Sequence, residues 1–188
     1  DSHTDYVNSA TNWLSMNILH KVIWRYCAKQ IKPYVIKFWG VTEQRCRFLN
    51  DVYEIPEEKI DLLVMGADDE KINFDRKDEI RRQIRESLFI SNDDFMIITG
   101  GKIDRNKNIH LLIDAINNIA CKNIKLVVFG TLDKDMKNVI ESRLENPNIK
   151  YIGWLESYEV YDYFLASDLG VFPGTHSVLW EQAVGTGL

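Results

Sequence analysis

From Asp94 onward, short apolar runs alternate with stretches of helical periodicity. Phe95–Thr99, FMIIT, has the length and composition of a strand buried on both faces. Ile109, Leu112, Ile113 and Ile116 then recur at i, i+3, i+4 and i+7, and Ile119 extends the stripe, which predicts an amphipathic helix. A second strand is expected over Lys125–Gly130 and a polar helix over Asp135–Leu144. A third strand is expected over Asn148–Leu155, and then a helix over Tyr158–Ala166 with Val160, Tyr163 and Phe164 inward. A fourth strand, Leu169–Gly174, leads into a helix beginning at Val178–Val184. Strand and helix alternate throughout, so the pattern predicts an α/β fold built on a parallel, doubly wound sheet with flanking helices. Ligands of such sheets sit outside the carboxyl ends of the strands. The loops after Thr99, Phe129, Ile152 and Phe172 are therefore where chemistry is expected.

The earlier part of the chain is less regular. A helix is expected over roughly Trp13–Gln30, with Leu19, Val22, Ile23 and Tyr26 as its buried stripe and Pro33 ending it. Tyr34–Thr42 reads as a buried strand, rich in β-branched and aromatic residues. Thr42 can cap a helix over Glu43–Val52. Arg45 rather than Glu or Gln lies three residues on, so no capping box is expected. Lys59–Gly66 reads as the next strand, Gly66–Lys77 as the best linker, and Lys77–Leu88 as a charged helix.

Charge sharpens this picture. From Lys21 to Arg47 there are seven basic residues and one acid; from Asp51 to Glu79 there are eleven acids and four bases. Lys21, Arg25, Lys29 and Lys32 fall on one helical face. That face is either a solvated surface or a dock for anionic lipid or an acidic acceptor. The net charge of −5 argues against a chain that coats nucleic acid. No apolar run approaches membrane-spanning length, and DSHTDYVNSA is not a signal peptide. Cys27, Cys46 and Cys121 are widely spaced and form no metal or redox motif, which suits a reducing compartment and a cytoplasmic setting. The absent initiator Met and the stop after SVLWEQAVGTG are read as a chain cut from a longer sequence.

Two loops carry chemistry. In GGKIDRNKN, Gly100–Asn108, a glycine turn lets backbone N–H groups approach a ligand. Lys102 and Lys107 stand at either end of that loop, and the following helix adds its positive end. Together these suit a diphosphate, although neither a Walker loop nor a G-x-G-x-x-G fingerprint is present. Ordinary surface lysines are the bland alternative. In FPGTHSVLWEQAVGTG, Phe172–Gly187, Glu181 lies in a helix whose first turn holds Ser177. A carboxylate there can accept from both hydroxyls of a ribose diol, or it is an exposed helical Glu. His176 precedes the helix, within reach of a sugar or phosphate, or serves a structural role. Strand ends are not read as carrying an Asp-x-Asp metal pair, Asp68–Asp69 and Asp93–Asp94 being adjacent and in loop stretches.

In order and spacing, GGKIDRNKNIHLLIDA, LVVFG, IKYIGWL, ASDLGVFPG and HSVLWEQAVGTG resemble the C-terminal domain of the retaining glycosyltransferases of family 4, which have the GT-B fold. DSHTD through VMGAD resembles the later part of that family's N-terminal Rossmann-like domain. The resemblance covers nearly the whole chain but only about half of a full enzyme. It implies a partial N-terminal domain over residues 1–73 and an incomplete C-terminal nucleotide-sugar-binding domain over 74–188. It places Gly101, Lys102 and Lys107 at the donor diphosphate and Gly153, Trp154 and Leu155 beside the base. Gly174, Thr175, His176 and Ser177 face the donor sugar, and Glu181 holds the ribose as the second Glu of E-x7-E. His3 matches a strand-end position facing the reaction centre. Two departures stand out. The first Glu of the motif is Pro173 here, with His176 and Ser177 as candidate replacements. Lys102 replaces the usual Arg, keeping charge but not the bidentate fork.

What the resemblance implies is transfer of a sugar from a nucleoside diphosphate to an acceptor hydroxyl, with retention and without metal or other cofactor. Fixed lysines and a helix N-terminus would stabilise the departing diphosphate as a metal does elsewhere. The implied partners are a nucleotide sugar, of UDP or GDP type, and a saccharide or lipid-linked saccharide acceptor. Bacterial surface-polysaccharide assembly is the implied setting, in the cytoplasm or peripherally at the inner face of the membrane. This chain alone is expected to be inactive. The rival readings are a GT-B nucleotide-sugar epimerase and a non-catalytic nucleotide-binding or scaffold relative.

Overall fold

The computed structural model describes residues 2–7, 9–174 and 177–188. The chain divides into two compact units, Asp1–Met65 and Gly66–Leu188.

In the first unit, two short parallel strands, β1 (Phe38–Gly40) and β2 (Ile60–Leu62), pair in register from Phe38↔Ile60 to Gly40↔Leu62. Both are three residues long, where runs of eight or nine residues suggested more. Ser2 adds an isolated parallel bridge to Gly40. Helix α2 (Glu43–Asp51) packs on them and is capped as expected, with the Arg45 N–H donating to Thr42 Oγ1. Its Phe48 and Leu49 join Val52, Tyr53 and Ile55 in the core.

The first helix corrects an expectation. Its Ser15–Trp24 stretch is π-helical and continues as α1 (Arg25–Ile31), and a 3-10 turn at Lys32–Tyr34 carries Pro33. Bonding from i to i+5 widens the turn, so the i, i+3, i+4, i+7 spacing of an α-helix no longer marks one face. Leu19, Val22, Ile23 and Tyr26 are accordingly 38–64% exposed. The buried contacts are made instead by His20, which meets Tyr53 Oη through Nδ1, and by Ala28. The basic face is partly spent internally. Arg25 and Lys29 both ion-pair with Glu54, at 2.6 and 2.5 Å, and Arg25 Nε donates to Val52 O.

The second unit is a four-stranded parallel sheet in the order β5-β4-β3-β6. Its strands are β3 (Phe95–Ile103), β4 (Ile124–Leu132), β5 (Ile149–Tyr151) and β6 (Leu169–Gly170). Alternation along β3 and β4 splits their apolar runs between two cores. Ile97, Leu126 and Val128 pack with α4 (Ile109–Asn118) and α5 (Lys134–Glu141). Met96, Ile98, Val127 and Phe129 face the other way, with Leu88 and Ile90, just past α3 (Lys77–Ser87), and with α6 (Ser157–Ala166) and α7 (Leu179–Gly185). A fully buried side chain such as Ile113 contributes about 2 kcal/mol.

Helix ends follow local chemistry. Asp133 caps α5 by accepting from the Lys134 N–H, and the Glu159 carboxylate reaches back to the Glu156 N–H before α6. On α6, Tyr161 is buried more fully than the expected Tyr163, and its hydroxyl accepts from the Asp68 N–H of the acidic stretch. Ile119 caps α4 in an extended conformation and is 43% exposed, so it ends the stripe rather than extending it.

The main differences from the expected strands concern β3, β5 and β6. β3 does not stop at Thr99 but pairs with β4 as far as Ile103↔Leu132. β5 and β6 are short because their flanking residues turn into the loops that build the site. The start of β6 is pinned by a charged clamp. Asp168 accepts from Arg81 at 2.5 Å, from Arg85 at 3.3 Å and from the Met96 N–H at 2.7 Å. Arg85, 1% exposed, also donates to the carbonyls of Ser91, Asp94 and Ala166.

Candidate functional site

The carboxyl ends of β3 and β4 form a bare backbone floor. Gly100 and Gly101 are not a turn: they lie inside β3, opposite Phe129 and Gly130. Gly101 and Gly130 have φ of 107° and 115°, a region open to glycine. A Cβ on Gly130 would stand 1.9 Å from the Gly101 carbonyl oxygen, and one on Gly101 would meet Leu179 Cδ1 at 3.0 Å. The Gly130 N–H donates to the Gly153 carbonyl, and Gly153 has φ 76°. Three glycines on adjacent strand ends thus let three loops approach one another, while Tyr151 Oη donates to Gly130 O.

Because β3 is longer than expected, Lys102 is a strand residue rather than the start of the loop. Its side chain is 72% exposed and its Nζ lies 3.9 Å from Asp133. The turn itself is Asp104–Asn108. Asp104 accepts from the Asn106 and Lys107 N–H groups and so folds the 3-10 turn that presents Lys107. Asn108, left-handed at φ 55°, then opens α4, and its side-chain amide donates to the Pro173 carbonyl.

That bond joins the two loops the sequence singled out. Gly174 rests on the Lys107 turn so closely that a Cβ there would lie 2.4 Å from Asn106 O and Lys107 Cα. The result is one small cleft lined by Thr99, Gly100, Lys107, Ile109, Phe172, Pro173, Gly174 and Ser177. Ile109 begins α4, so the positive end of that helix adds to Lys107. Ser177 lies two residues ahead of α7 rather than in its first turn, with Oγ 3.5 Å from the Leu179 N–H. Glu181 is the third residue of α7 and is partly buried. Thr175 and His176 lie outside the described residues.

The remaining positions separate. Trp154 is 64% exposed, whereas Leu155 is a core residue packed with Phe129, Val160 and Phe164. His3 belongs to the first unit, where it is exposed next to the Ser2 bridge to β1. A further correction concerns acids. β4 ends at Leu132, so Asp133 and Asp135 do stand after a strand with Asp-x-Asp spacing, and Asp133 is used as the cap of α5. Among the described residues, no group of three or more His, Cys, Asp or Glu converges in a manner that could hold a metal ion.

Sequence reasoning overlooked Thr99, Asp104 and Asn108. Thr99 is fully buried in the cleft wall, and among the described residues its hydroxyl has no hydrogen-bond partner. A hydroxyl in the otherwise apolar FMIIT run, and an Asp two and three residues before turn amides, were the signals available.

The model of the family described as glycosyl transferases group 1 matches residues 80–183. The chain belongs to the group 1 glycosyl transferases. No curated protein matches it. Among solved structures, it resembles WaaG, "a glycosyltransferase involved in lipopolysaccharide biosynthesis", with a TM-score of 0.63 at 16% identity over 81% of this chain and 42% of that one. Anabaena Alr3699/HepE in complex with UDP-glucose gives 0.60 at 15% identity, over 88% and 45%. A glycosyltransferase from Rickettsia africae gives 0.58 at 16% identity, over 77% and 41%. At these identities the likeness is one of fold: an α/β, GT-B architecture, of which the chain is a part. It spans less than half the length of each of these structures. No helix among the described residues is long and apolar enough to cross a membrane.

Proposed function

We propose that this chain carries the donor-binding part of a family 4 glycosyltransferase that moves a sugar from a nucleoside diphosphate to an acceptor hydroxyl, with retention and without a metal. The observation that carries the reading is the meeting of the Lys107 turn and the Gly174 loop in one cleft at the strand ends. Lys107 and the start of α4 supply positive potential where a leaving diphosphate would gain charge. Lys102 holds the outer edge of that field, and Glu181 reads the ribose. The UDP-glucose complex of the Anabaena neighbour supports a nucleotide sugar as the ligand class. The acceptor is a saccharide or lipid-linked saccharide, in keeping with the lipopolysaccharide role printed for WaaG. Exposed Trp13, Leu14, Val22 and Trp24, with Lys21 among them, suit peripheral contact with a membrane surface. Pro173 in place of the first motif carboxylate favours a second reading, a relative that binds nucleotide without transferring sugar.

Calorimetry with UDP, GDP and their 2′-deoxy forms tests the donor reading. A carboxylate accepting from two vicinal hydroxyls leaves a partner unpaired when one is missing. Glu181→Gln should therefore weaken ribonucleotide binding more than deoxyribonucleotide binding, and excess chelator should change neither. Equal losses for both ligands would remove Glu181 from the ribose. Sugar transfer by a protein containing this chain separates the transferase from the non-catalytic relative.

A further inference from the structure

One cavity of the second unit lies apart from the donor cleft. It has a volume of about 570 Å³ and lies between the Asp104–Asn108 turn, the start of α4 and the length of α5. That size falls within the range of about 300–1,000 Å³ typical of small-molecule sites. We infer that this cavity binds a neutral saccharide, at a site separate from the donor cleft and independent of the donor reading.

The balance of charge decides the ligand class. Three carboxylates, Asp104, Asp133 and Asp135, and two guanidiniums, Arg105 and Arg143, line the space. Three of these five are already engaged. Asp104 holds the turn amides, Asp133 caps α5, and Arg143 pairs with Asp114 at 2.7 Å while donating to Val139 O. One acid and one base remain for a ligand: among the described residues, neither Asp135 nor Arg105 has an ion-pair partner. A phosphate entering here must face three carboxylates, and an amine must face two guanidiniums; like charges at that range disfavour either ion. A sugar hydroxyl both donates and accepts, so one ring can satisfy Asp135 and Arg105 together without adding charge. Among the described residues, no three metal-ligating side chains converge here.

Two further features point the same way. Met136 and Val139 give the cavity an apolar strip along α5, the surface against which the C–H face of a pyranose packs. His110, on the opposite wall, has an Nδ1 that is shielded from solvent and has no hydrogen-bond partner. Nothing among the described residues relieves that cost, and a ligand hydroxyl would do so once the ring turns toward the cavity.

The test is an NMR titration of the 188-residue chain with maltose, cellobiose and lactose, alongside inorganic phosphate, glycine and Mg²⁺. At least one disaccharide should shift the His110 ring signals and the α5 amides in the millimolar range. Asp135→Asn, on an exposed side chain, should raise its Kd at least about fivefold, the loss of one hydrogen bond to a charged group. Lys107→Ala should leave that Kd within about twofold, whatever its effect on nucleotides. No shift with any sugar up to about 50 mM would overturn the inference. So would shifts that survive Asp135→Asn unchanged, or binding of phosphate, glycine or Mg²⁺ alone.

Discussion

Replacing Asp168 by Asn removes one negative charge from the clamp that fixes β6 to β3. In the native chain Asp168 faces two guanidiniums and one backbone N–H, and its side chain is only 22% exposed. Asn keeps an acceptor for the Met96 N–H but leaves Arg85, 1% exposed, without its counter-charge. Breaking a buried pair from one side costs about 3–5 kcal/mol. The residual exposure of Asp168 and the remaining carbonyl partners of Arg85 put the expected loss near 3 kcal/mol, a large part of a typical domain's 5–15 kcal/mol. The pH dependence has a defined sign. Burial raises the Asp168 pKa, but the Met96 N–H and the two arginines outweigh it and hold the carboxyl below its usual value. The stabilisation is therefore fully present above the ordinary carboxylate range, near pH 4, and is lost as pH falls through the lower folded value. Urea unfolding monitored at the amides of β3 and β4 reads the effect. Asp114→Asn, which breaks the half-exposed pair with Arg143, serves as the comparison and should cost under about 1 kcal/mol. A loss below about 1 kcal/mol for Asp168→Asn, or an acid limb identical to that of the native chain, would refute the clamp.

Four other substitutions have defined outcomes. Lys107→Ala should weaken diphosphate binding by roughly 1.5–3 kcal/mol, and Lys102→Ala by less, since its side chain is more exposed; calorimetry should show no loss for the nucleoside alone, and an equal loss there would assign the lysines to folding. Gly130→Ala meets the Gly101 carbonyl at 1.9 Å from an unfavourable φ, so it should cost more than about 2 kcal/mol in urea unfolding. Thr99→Val replaces a buried, partnerless hydroxyl with a methyl and should raise stability by about 1 kcal/mol, measured in the same way; a loss of that size would mean the hydroxyl is satisfied in solution.

The parallel sheet was legible because β3 and β4 are apolar on both faces, and few other structures bury five consecutive residues such as Met96–Gly100. Strand ends were less legible. Gly100–Gly101 reads locally as a turn, and only pairing with Gly130 makes it strand. The stripe Leu19, Val22, Ile23 and Tyr26 has a sound α-helical period, but the backbone there is π-helical, and local periodicity carries no sign of that. The two site loops were found from their glycines, lysines and Glu181. What joins them, Asn108 to Pro173 and Gly174 on Lys107, spans more than sixty residues and is visible only in three dimensions.

The stacked strand-end glycines bear on how this protein can be re-engineered. Gly101 and Gly130 lie on different strands, yet the Gly101 backbone occupies the volume that a side chain at position 130 would need. A donor loop transplanted from another enzyme onto β3 alone would be compatible only with a recipient β4 that keeps glycine at position 130. The two strand ends are thus one exchangeable part, and libraries that vary them separately will consist mostly of chains that cannot close the sheet.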